Sequence, residues 1–121
     1  MTEIKRDKTM TIRELISEKS ALLRNVDKLG PHAASEELVE LASLLSSLNA
    51  EIVEKHFILN QKKVELLQEA KSVSKARMLS EATPEWRDFM ERLTQREALE
   101  ELLRAVKYYL RAAEKELKEF N

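Results

Sequence analysis

A chain of 121 residues, 36% charged and 43% hydrophobic, is sized for one domain with a core of its own. One glycine, two prolines and no cysteine exclude disulfides, thiolate metal sites and thiol nucleophiles, and leave too few turn formers for a sheet of tight hairpins. A net charge of −1 removes any global attraction to nucleic acid or acidic lipid, so such binding needs a local patch.

Leu, Glu, Lys, Ala and Arg dominate, and these are the strong helix formers. The expected fold is therefore all-α: an elongated helical bundle or hairpin of three to four helices with one very long central helix. Residues 1–10 are expected to be disordered and 11–121 to form a single helical domain. Met1 to Lys8 lacks the apolar stretch of a signal peptide, and no run approaches the ~20 apolar residues of a membrane span. Together with the absence of cysteine, this sets a cytoplasmic protein with no membrane partner as the expectation.

The first helix is expected over 11–29, where Ile12, Leu15, Ile16, Leu22, Leu23, Val26 and Leu29 make one apolar stripe. Lys19 interrupts the stripe, and its long stem lets the ammonium snorkel to water. Gly30 follows where a left-handed cap is wanted, and Pro31 prevents continuation.

A second helix is expected over 35–79, with Ser35 as N-cap and Glu36 and Glu37 complementing the helix dipole. It would span about 45 residues, or ~68 Å. One edge of its apolar arc carries Leu41, Leu48, Ile52, Leu59, Leu66 and Val73; the other carries Leu38, Ala42, Val53, Val64 and Leu67, with Leu45 between them. An arc this wide exceeds what one neighbouring helix covers, so at least two are expected, from this chain or from a partner.

Thr83-Pro84-Glu85 opens the third region with an N-cap, a first-turn proline and an acid. Its apolar phase shifts midway, from Trp86, Phe89, Met90 and Leu93 to Leu99, Leu102, Leu103, Val106, Leu110, Ala113, Leu117 and Phe120. Thr94-Gln95-Arg96-Glu97 between them matches a capping box, so a break is expected, giving helices over 84–93 and 95–120. The alternative is one helix that hands its apolar face to a different neighbour.

No enzyme is expected. The two histidines, His32 and His56, lie in no zinc or di-iron spacing, and no phosphate loop or nucleophile elbow exists. No cofactor or metal follows from the residues.

Asn49, His56, Asn60 and Lys63 fall near one line within the apolar arc of the second helix. They read either as a polar layer fixing register at a helix–helix or dimer contact, or as a line open to solvent. With Leu41, Leu45, Leu48, Ile52 and Leu59 they make the candidate oligomer surface. Charge is segregated on the same helix. Residues 33–54 hold Glu36, Glu37, Glu40, Glu51 and Glu54 without a base, whereas 55–79 hold Lys55, Lys62, Lys63, Lys71, Lys75 and Arg77 against Glu65 and Glu69. This suits antiparallel self-pairing, or an intrachain hairpin that lays the acidic segment 84–101 beside the basic half; the hairpin is the favoured cause.

Arg104, Lys107, Arg111, Lys115 and Lys118 form a basic strip opposite the apolar stripe of the last helix, with Tyr108 beside them for stacking. The strip is a candidate nucleic-acid contact. Glu100 and Glu114 lie on or near it, placed to pair with Arg104 and Lys118.

Lys75-Ala76-Arg77, Glu85-Trp86-Arg87 and the run from Leu103 to Ala112 resemble small helical proteins of phage early or recombination regions. The resemblance covers the last ~50 residues and implies a replication or recombination context, with no catalytic residue carried over. The function expected from the residues is a non-enzymatic helical interaction or scaffold protein, a homo-oligomer. The alternatives are a nucleic-acid-binding accessory protein of phage replication or recombination and a binder of a host protein.

Overall fold

The computed structural model describes residues 10–120; most of the N-terminal stretch expected to be disordered lies outside the described residues. The fold is all-α, as the composition requires. Its described elements are α1 (Ile12–Leu22), a 3-10 segment (Leu23–Lys28), α2 (Pro31–Ala70), α3 (Val73–Glu81) and α4 (Pro84–Phe120). None of these helices is long and apolar enough to cross a membrane.

Helix ends follow local chemistry. Thr11 caps α1, its side chain accepting from the Glu14 amide at 3.2 Å. The helix expected over 11–29 tightens into the 3-10 segment, within which Asn25 leaves helical angles at φ −122° and ψ 55°. Gly30 takes φ +84°, the left-handed cap its position called for.

Three boundaries differ from expectation. The long helix begins at Pro31, not Ser35: proline has no amide to leave unpaired at a helix start, and the Ala34 amide already reaches the Gly30 carbonyl at 3.0 Å. The same helix stops at Ala70 instead of running to Leu79. Lys71 turns left-handed at φ 56°, and Ser72 then caps α3, accepting from the Lys75 amide at 3.4 Å. The third difference is at Thr94, where the expected break is absent. Thr94 Oγ1 donates back to the Met90 carbonyl at 3.1 Å, so the hydroxyl that a capping box needs is spent inside a continuous α4.

A left-handed non-glycine residue costs roughly 1–2 kcal/mol. Lys71→Gly is therefore expected to raise stability by up to about 1 kcal/mol after the entropy that glycine adds to the unfolded chain. Gly30→Ala, at a position with the same handedness, is expected to lower it by a similar amount. Urea unfolding of both variants beside the parent checks the opposite signs.

The described residues group into two compact units, one up to Leu45 with those from Glu97 on, the other Ser46–Arg96. In the first, Leu23, Ala34, Leu41, Leu99, Leu103 and Val106 are buried. In the second, Leu48, Ile52 and Leu59 of α2 and Ala76 and Ser80 of α3 are buried, with Trp86, Phe89 and Leu93 of α4 half-buried. Buried Ser80 stays satisfied because its Oγ donates to the Arg77 carbonyl at 2.8 Å. The phase shift read along α4 is thus a hand-over: the helix gives Trp86, Phe89 and Leu93 to one unit and Leu99, Leu103 and Val106 to the other, with no backbone break.

Candidate interaction surface on the long helix

Each edge of the α2 arc meets a different fate. Leu41, Leu48, Ile52 and Leu59 are buried within this chain and Leu45 is half-buried, so the structure places this part of the expected oligomer surface in the intrachain core. Asn49, His56, Asn60 and Lys63 are exposed. Asn60 Nδ2 lies 3.5 Å from His56 Nε2, and the His56 ring stacks on Phe89 with centroids 5.0 Å apart. No polar layer is buried here among the described residues; in the isolated chain the line opens to solvent.

On the second apolar edge Leu38 is half-buried, but the part beyond Ser46 stays exposed. Val53 is 70% exposed, Phe57 63%, Val64 56% and Leu67 43%. At 3.6 residues per turn these four share a sector with Ser46, Asn49, Ala50, Asn60, Gln61 and Gln68 that is about 120° wide. No Asp, Glu, Lys or Arg of Ser46–Ala70 falls inside it; Glu51, Glu54, Lys55, Lys62, Lys63, Glu65 and Glu69 all lie outside. In a chain that is 36% charged, a charge-free exposed sector of this length departs from the rest of the surface. Phe57 was missed in the sequence; the absence of charge around the helix is the signal that finds it, whereas hydrophobic periodicity alone merges it into one broad arc.

The charges pair locally. Lys19 is half-buried: its ammonium lies 2.9 Å from Glu37 and also contacts the exposed Glu40. Burial pushes this lysine down, but the Glu40 and Glu37 carboxylates together outweigh it and leave its pKa raised above 10.5. Arg92 Nε stands 3.5 Å from Glu51 Oε1, which joins a base of α4 to the acidic stretch of α2 and leaves the basic stretch 55–79 outside this pair.

Lys19→Ala is expected to cost about 1–2 kcal/mol, from the lost ion pairs and stem packing. A pKa raised on folding gives stability that is complete below the unfolded value of 10.5 and is lost as pH climbs through the folded value. The difference between parent and variant should therefore hold constant through neutral pH and shrink only above about pH 10.5, as denaturation at stepped alkaline pH would show.

On α4 the basic strip is fully displayed. Arg104, Lys107, Tyr108, Arg111, Lys115 and Lys118 are all exposed, Tyr108 at 79%. Glu114 does pair with Lys118, at 3.4 Å, while Arg104 makes no ion pair among the described residues. Also among the described residues, no three His, Asp or Glu side chains are grouped to hold a metal ion.

No family model, curated protein or solved structure matches this chain.

Proposed function

We propose that this is a non-enzymatic helical interaction protein that self-associates, with α2 as its binding element. The observation that carries the reading is the charge-free sector of α2, whose large apolar side chains stay 43–70% exposed among the described residues. Exposed apolar surface of this kind gains free energy only by meeting another apolar surface. Sedimentation velocity across a dilution series is the test: the coefficient should fall as the protein is diluted, and a monomer at every concentration up to tens of micromolar would overturn the reading.

A second reading, a nucleic-acid-binding accessory protein of phage replication or recombination, is favoured by one observation: the exposed strip with Tyr108 standing beside its bases. It predicts binding to single- or double-stranded DNA that weakens steeply with salt. Arg104→Ala with Arg111→Ala should then lower the slope of log K against log salt by about 2, one for each lost phosphate contact. Binding that is absent, or indifferent to salt, would contradict it.

A further inference from the structure

The α2 sector is graded in side-chain size. Toward its N-terminal end it presents Ser46 and Ala50; from the middle onward it presents Val53, Phe57, Val64 and Leu67. A partner that fits must therefore be large where this face is small and small where it is large. An antiparallel copy of the same helix meets that condition, and it also brings the acidic stretch of one copy toward Lys55, Lys62 and Lys63 of the other. A parallel copy would set Ser46 against Ser46 and Phe57 against Phe57, and would align the acidic stretch holding Glu36, Glu37, Glu40, Glu51 and Glu54 with its own copy.

We infer that the occupant of this face is a second copy of the chain, packed antiparallel about a twofold axis that crosses the face midway between Val53 and Phe57. The inference rests on the self-association proposed above and adds its geometry. In this register Val53 of one copy meets Phe57 of the other, Ala50 meets Asn60, and Ser46 meets Val64. Each layer then joins a smaller to a larger side chain, as interdigitating knobs require. The contact is isologous: the same patch serves both copies and closes on itself, which yields a dimer and not a filament.

Area is consistent with this. From their exposures, Val53, Phe57, Val64 and Leu67 offer on the order of 400 Å² per copy, or about 800 Å² for the pair. The flanking Ser46, Asn49, Ala50, Asn60 and Gln61 carry the total toward the ~1,200 Å² at which stable specific interfaces begin. Charge neutrality matters as much as area. A twofold axis brings every charge near it against its own copy, and a sector free of charge escapes that repulsion.

Because the chain has no cysteine, thiols placed in it are unique. Ser46→Cys and Val64→Cys are prepared separately in the full chain, oxidised alone and as an equal mixture, and the products weighed by mass spectrometry. In the antiparallel dimer Ser46 of one copy adjoins Val64 of the other, while the two Ser46 positions stand about 27 Å apart. A disulfide-linked dimer carrying one copy of each variant is expected in the mixture, and only background cross-linking from either variant alone. Strong cross-linking of Ser46→Cys with itself would overturn the antiparallel geometry while leaving self-association standing. A chain that sediments as a dimer yet cross-links in neither experiment would place the contact off this face. A parent chain that never leaves the monomer would end the reading on which the inference rests.

Discussion

Leu48→Ala is expected to destabilise the protein by about 3–5 kcal/mol, the range for a fully buried leucine whose surroundings cannot collapse into the vacated space. Leu48 has no exposed surface, and its neighbours along the same line, Ile52 and Leu59, are 8% and 1% exposed. Against a total stability on the order of 5–15 kcal/mol, one such loss takes away a large share. Val53→Ala, a little over one turn farther along the same helix, is expected to change monomer stability by less than about 0.5 kcal/mol. Urea unfolding at protein concentrations below association measures both, and a similar loss for the two variants would mean that the two edges of α2 are not distinct.

Phe57→Lys is expected to abolish self-association and to leave folding untouched. Phe57 is 63% exposed, so a lysine there keeps its charge in water in the isolated chain. In the dimer the same position faces Val53 of the other copy near the twofold axis, so two ammonium groups would be buried close together with no partner. Central aromatic anchors contribute about 2–4 kcal/mol to an interface, equivalent to a roughly 30- to 1,000-fold weaker dimer. Sedimentation measures this loss, and circular dichroism with thermal unfolding confirms that helix content and stability are retained.

Some of this was legible in the sequence and some was not. Gly30 and Thr83-Pro84 were readable because their chemistry acts within one turn: a left-handed cap in the first, and in the second a hydroxyl that accepts from the Trp86 amide at 3.2 Å. The Lys71-Ser72 break was not, because a lysine in a left-handed conformation gives no local signal and Ser72 resembles any polar residue on a helix surface. At Thr94 the motif was present but a longer-range preference prevailed. Keeping α4 continuous preserves its hydrogen bonds while each half of its apolar face finds a separate core.

The site divides along the same line. Periodicity located the whole apolar arc of α2, but it could not say which edge the rest of the chain would cover. That depends on α3 and α4 coming back to α2, which is tertiary information. Lys19 shows the same limit: it reads as a solvated interruption of a stripe until Glu37 and Glu40, far along the chain, are brought beside it.

The proposed self-association uses one face of α2 and leaves the other free. It is tested most directly by placing a single thiol on that face, Val53→Cys, and another on the charged side, Glu65→Cys, and following alkylation of each as protein concentration rises. Both positions are exposed in the isolated chain. Alkylation of Val53→Cys should slow progressively as copies associate, while Glu65→Cys reacts at one rate throughout. Equal, concentration-independent rates at the two positions would contradict the claim.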